Sequence, residues 1–262
     1  MPNLTEEQQD RVQMLSDHYG KRIKDLKQRI ESNEGNPATY RNIAGKYELL
    51  GSYDIFYDDI DGAQEQYLSA AKYYSKSARA TISMEVSGHS FKKIPMTLTH
   101  GLYTALLSGN INKQVEIAKT ILELENELAI SEESGESLSE FYPDKYYFAS
   151  CLAGCVIDDI DEKDIYTLEE INKKKSRNNA LYGGAVLEFT KGLLDDNSNL
   201  IEKGIHSMLE FHEIDLNHEN IDDVIISIET TALLVLARQK GYDIQVSSSF
   251  VPEKLVKASS AL

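Results

Sequence analysis

The segment Asp222–Lys240 constrains the fold more than any other part of this chain. Val224, Ile225, Ile228, Thr231, Ala232, Leu234, Val235 and Leu236 make a helix there apolar over most of its circumference. A helix of that kind has to be enclosed by other elements. With Asp222, Asp223, Glu229 and Arg238 in it, the segment is too charged, and short of the roughly 20 apolar residues that a bilayer span needs. The two aspartates complement the positive end of the helix dipole, and Arg238 and Lys240 the negative end. Gly241 supplies a left-handed stop. The expectation is one continuous central helix with its neighbours wrapped around it.

Two helical patterns lead into it, Ala180–Leu194 and Asn199–Glu213, separated by Asp195-Asp196-Asn197-Ser198. Ile244-Gln245-Val246 after it can add a few extended residues. Upstream, Thr5 is an N-cap candidate, and Val12, Leu15, Tyr19, Ile23, Leu26 and Ile30 form a heptad-like stripe. Gly35-Asn36-Pro37 ends that helix. A second helix is expected over Ala38–Leu50, closed by Gly51, and a third near Asp54, with Asp61-Gly62 capping Ala63–Met84. Val86–Ile94 and Ser131–Ser139 read as loops, with helices over Pro95–Leu107 and Asn112–Ala129 between them. A helix from Tyr142-Pro143-Asp144 to Ile157 and a charged one to about Lys175 follow.

Two hairpins align. Leu106-Leu107-Ser108-Gly109-Asn110 matches Leu193-Leu194-Asp195-Asp196-Asn197, and Ile121-Leu122-Glu123 matches Met208-Leu209-Glu210. The predicted fold class is therefore all-α, about ten helices in stacked hairpins of the tetratricopeptide-like or α-solenoid-like kind. The expected organisation is a long amphipathic helix over 1–33, one helical domain over 38–256 and a tail over 257–262. The scarcity of Pro (5) and absence of Trp agree with helices over a turn-rich β fold.

The formal charge of -16 opposes binding to nucleic acid phosphates and to anionic membranes, and favours a basic protein partner. Cys151 and Cys155 stand one helical turn apart on an apolar pattern, which is core packing rather than a disulfide framework. Met1–Glu7 has no basic region and no apolar run, so a cytoplasmic location is expected.

Chemistry is sparse. The doublets Asp58-Asp59-Ile60-Asp61 and Asp158-Asp159-Ile160-Asp161-Glu162 resemble aspartate pairs that hold Mg²⁺ and a diphosphate, but few cations accompany them and both fall at helix ends. A calcium loop would need an acid where Tyr57 and Leu68 stand. Glu202, His206, Glu210 and Glu213 share a helix face without a Glu-x-x-His pair, so they read as a solvated face. No nucleophile elbow and no phosphate loop is present. No catalytic residue, metal or cofactor is expected.

The C-terminal third resembles the immunity protein 49 family. The residues that carry the resemblance are Ile228–Tyr242, ending Ala237-Arg238-Gln239-Lys240-Gly241-Tyr242, then Phe250-Val251-Pro252-Glu253-Lys254-Leu255. The Ala-rich helix from Ala63 and the Gly-Gly helix from Tyr182 are similar in style to earlier parts of that family. The resemblance implies an all-helical cytoplasmic protein that neutralises a toxin in a polymorphic toxin system, with no catalytic residues to carry over. The candidate partner-binding positions, chosen because they cluster at turns, are Asp158, Asp159, Asp161, Glu162, Asp195 and Asp196. They would face a basic cognate toxin. The alternatives are a helical-repeat scaffold, self-assembling as a homo-oligomer through residues 5–32, and a helical metal-dependent enzyme.

Overall fold

The computed structural model describes residues 4–32, 35–83, 93–128, 138–217 and 221–261. Regular structure in them is helical, with no strand among the described residues. In chain order the helices are α1 (Glu6–Glu31), α2 (Pro37–Phe56), α3 (Ile60–Ser83), α4 (Ile94–Leu107), α5 (Ile111–Leu128), α6 (Leu138–Phe141) and α7 (Pro143–Ile157). They continue as α8 (Glu162–Asn172), α9 (Arg177–Leu194), α10 (Ser198–Asp215), α11 (Ile221–Ile225), α12 (Ile228–Gln239) and α13 (Glu253–Ser260). The expected loops at Val86–Ile94 and Ser131–Ser139 lie largely outside the described residues.

Local sequence explains most of the starts. The Thr5 side chain accepts from the Gln8 amide while the Gln8 side chain accepts from the Thr5 amide, a reciprocal cap on α1. Asn36 caps α2 ahead of Pro37, whose missing N–H is harmless in the first turn. Asp161 caps α8, and Asn197 caps α10.

Consecutive helices pack as neighbours from α1 to α5 and again from α7 to α10. The chain then turns back, with α11 against α2, α12 against α4 and α10, and α13 against α3 and α4. The array therefore closes on itself. Helix α4, touched by α3, α5, α7, α12 and α13, lies at its centre, with Leu98, Leu102, Tyr103, Leu106 and Leu107 fully buried. The α1 stripe is occupied by the body of the protein: Val12, Ile23 and Leu26 are buried, and α1 packs on α2. Each such side chain removed from water contributes about 2 kcal/mol. Helices α9 and α10 approach so closely that a Cβ on Gly204 would stand 2.6 Å from the Phe189 amide nitrogen.

The paired hairpins are alike in backbone. Gly109 and Asp196 both take left-handed φ, at 69° and 48°, and the next residue is the capping asparagine. Asn110 Oδ1 accepts from the Lys113 amide, as Asn197 Oδ1 does from that of Leu200.

Three expectations are corrected. The segment Asp222–Lys240 is not one helix, because it breaks at Ile226 and Ser227 between α11 and α12. The Ser227 amide donates to the Phe250 carbonyl at 2.9 Å, so it is unavailable to a helix running through, and the Ser227 carbonyl starts α12 by accepting from Thr231. Gly51 does not end α2. It lies inside the helix, where a Cβ would stand 3.0 Å from the Tyr67 ring, so its role is close packing. Residues 257–262 are not simply a tail. They contain the second half of α13, in which Ser259 is buried and its hydroxyl donates to the Leu107 carbonyl.

Candidate functional site

The two acidic turns chosen from the sequence meet in space. The turn after α7 carries Asp158, Asp159, Asp161 and Glu162, and the turn after α9 carries Asp195 and Asp196. The chain beyond α12 bridges them. Lys240 Nζ lies 2.5 Å from Asp158 Oδ1, and the Tyr242 hydroxyl donates to Asp196 Oδ1 at 2.7 Å. A cavity of about 380 Å³ opens between the turns, lined by Asp158, Asp159, Leu193, Leu194, Lys240 and Tyr242.

The backbone explains why aspartates stand here. Asp158 ends α7 in the left-handed region, φ 58°, and the Asp159 amide bonds back to the Gly154 carbonyl. Asp196 is left-handed too, and the Asn197 amide bonds back to Gly192. Aspartate tolerates that conformation better than most side chains. These turns are helix-stop geometry first, and the negative charge is displayed as a consequence.

The charges are unevenly committed. The Lys240 side chain is only 18% exposed and also donates to the Val156 carbonyl, while Asp158 stands 78% exposed above it. Asp161 is spent on capping the Lys163 amide. Asp159, Glu162 and Asp195 are exposed and have no ion-pair partner among the described residues. Leu194 beside them is 42% exposed. The edge thus offers exposed carboxylates around an apolar spot.

The resemblance residues form a structural clasp. Arg238 reaches Glu253 with two nitrogens, at 3.0 and 3.2 Å, and donates to the Ile244 carbonyl. Gly241 turns the chain at φ 91°, and Leu255 is fully buried. The clasp holds Tyr242 in place under the acidic edge.

A second concavity, of about 220 Å³, escaped the sequence reading. It is lined by Glu48, Phe211, His212, Asp215, Asp223 and Glu229, drawn from α2, α10, α11 and α12. No local motif links residues so far apart in the chain. Burial pushes the Glu48 carboxyl above its usual range, His100 opposes that, Glu229 adds to it, and a 3.0 Å hydrogen bond from Tyr74 opposes it. His100 Nδ1 is 3.9 Å from Glu48, beyond hydrogen-bond reach.

Among the described residues no three His, Cys, Asp or Glu side chains converge to hold a metal ion. Asp58 and Asp59 precede α3, which Ile60 and Asp61 open, the second Asp-Asp-Ile-Asp motif lies between α7 and α8, and His206 is 3.8 Å from Glu202 with both side chains half exposed. Burial raises the thiols of Cys151 and Cys155, the latter to about 12, so both are neutral packing groups. No helix among the described residues is long and apolar enough to cross a membrane. Compared with known proteins, the chain matches no family model, no curated protein and no solved structure.

Proposed function

We propose that this protein is a non-enzymatic binding protein of the immunity type, which neutralises a basic partner protein through the acidic edge between α7–α8 and α9–α10. The observation that supports this most is the convergence of two turns, 37 residues apart, around Lys240 and Tyr242, with Asp159, Glu162 and Asp195 left exposed. A basic toxin presents cations where it holds its own substrate, and an acidic rim covers them. Opposite potentials accelerate encounter, and contact at an apolar centre such as Leu194 slows release.

The experiment is rescue. The basic protein captured by this chain from its native host is expressed alone and should arrest growth. Co-expression of the wild-type chain should restore growth, and the triple variant Asp159→Lys, Glu162→Lys, Asp195→Lys should not. Equal rescue by both chains, or a captured protein that is acidic and harmless, would remove the reading.

A further inference from the structure

Residues 20–47 and 70–83 carry ten Lys or Arg against three Asp or Glu, in a chain whose formal charge is -16. The helices bring these segments together. The Ser77 hydroxyl donates to the Pro37 carbonyl at 2.7 Å, and the Tyr40 and Tyr47 rings lie 6.4 and 5.8 Å from that of Tyr73. A groove of about 320 Å³ is lined here by Ile30, Tyr40, Tyr73, Lys76, Arg79 and Ala80. The cations rest on rings: Lys27 Nζ is 5.3 Å from the centre of Tyr47 and 5.8 Å from that of Tyr73, and Lys76 Nζ is 5.0 Å from Tyr73. Lys27 also donates to the Tyr47 hydroxyl at 2.7 Å. Compensation is partial. Glu116 meets Arg79 at 2.9 Å and Glu31 acts on Lys27, whereas exposed Lys76 has no ion pair among the described residues.

We propose that this groove is a second docking surface, opposite in sign to the acidic edge, for a protein segment carrying carboxylates around one apolar side chain. Ile30, Ala80 and the tyrosine edges form an apolar floor that accepts the anchor residue, and Lys76, Arg79 and Lys27 stand round it to meet the carboxylates. Ammonium groups already stacked on rings are held in place, so less side-chain entropy is lost on binding. The same stacking disfavours single-stranded nucleic acid, which needs free aromatic faces for its bases. Lys27 and Lys76 both stand against the Tyr73 ring, so these charges gather at one groove rather than spread as the flat field that suits an anionic bilayer. This surface does not depend on the toxin-binding reading.

The test is fluorescence anisotropy with the full chain at low and physiological salt. The probes are a labelled heptapeptide of Asp and Glu with one central Leu, the same peptide with Ser in place of Leu, a twelve-nucleotide oligo-dT, and phosphatidylserine vesicles. The Leu peptide is expected to bind, with affinity falling as salt rises. The pair Lys76→Glu and Arg79→Glu should weaken it by about tenfold or more, and Lys76→Gln alone by about threefold. The pair Lys163→Glu and Lys174→Glu, exposed cations elsewhere, should leave it unchanged. The Ser peptide should bind several-fold more weakly than the Leu peptide. Absence of binding, equal loss in the two charge-reversal pairs, indifference to the Leu, or tighter binding of the oligonucleotide or the vesicles would each overturn the proposal.

Discussion

The tetrapeptide Asp-Asp-Ile-Asp occurs at 58–61 and again at 158–161, and the first two residues of each copy do the same local job in different surroundings. In both, the first aspartate is left-handed, with φ of 61° and 58°, and the second sends its amide back five residues, to Asp54 and to Gly154. In both, a lysine from the C-terminal part of the chain meets the first aspartate, Lys254 at one and Lys240 at the other. The position four residues before each turn differs. Gly154 allows Asp159 and Ile160 to fold back over α7, where a Cβ would stand 2.8 Å from the Asp159 carbonyl oxygen. Asp54 occupies that place in the other turn, and there the chain enters α3 directly at Ile60. Sequence at a turn sets its backbone, and what the turn presents to a partner is decided by the element brought against it.

The largest way to break the parallel is at the position held by Gly154 in one copy and Asp54 in the other. Gly154→Ala sets a methyl against backbone and should destabilise the protein by about 2 kcal/mol, whereas Asp54→Ala should cost far less. Urea denaturation of both variants decides this, and similar midpoints would contradict the role given to Gly154. Next come the lysines. Lys240 is 18% exposed and bonds a carbonyl as well as Asp158, while Lys254 is 69% exposed. Lys240→Met should therefore cost about 1.5 kcal/mol and Lys254→Met close to nothing, because exposed ion pairs contribute little. The left-handed aspartates should behave as a matched pair. Asp58→Gly and Asp158→Gly should each be more stable than the corresponding alanine variant by about 1 kcal/mol, since alanine has no contact to offset its cost in that conformation. Thermal melts of the four variants make this comparison.

The last comparison is in pH. Burial, with repulsion from Asp59, raises Asp54 to about 6 against an opposing hydrogen bond from Gln66. A carboxyl raised above its unfolded value costs stability when ionised, so this contribution improves as pH falls from 7.5 through 6. The largely enclosed Glu48 acts in the same direction. Asp54→Asn should be more stable than the parent at pH 7.5, with the gap closing by pH 5. Glu253, lowered by Arg238, works the opposite way and gives up its contribution only at more acid pH.

Much of the fold was legible because helix signals are local. Thr5 caps α1 as its residue type predicts, the polar breaks at Asn36, Asp161 and Asn197 fall between helices as read, and the matched hairpins share a turn. Misreadings arose where a distant residue intervened. Phe250 takes the Ser227 amide and splits the most apolar helix, and Tyr67 packs on Gly51 so that a stop signal becomes a packing position. The acidic turns were visible as composition, but their meeting depends on Lys240 and Tyr242, which no spacing rule connects to them. The cavity around Glu48 and the tyrosine–lysine groove were hidden for the same reason, and the groove was masked further by a net charge that averages patches of opposite sign.

The most direct test of the central claim is the association rate of the captured basic partner with the wild-type chain and with the triple variant Asp159→Lys, Glu162→Lys, Asp195→Lys, measured at rising salt. An acidic edge that steers a basic protein predicts a wild-type rate that falls by about tenfold or more across the salt range, and a variant rate that starts low and changes little. Equal rates for the two chains, with equal salt dependence, would contradict it.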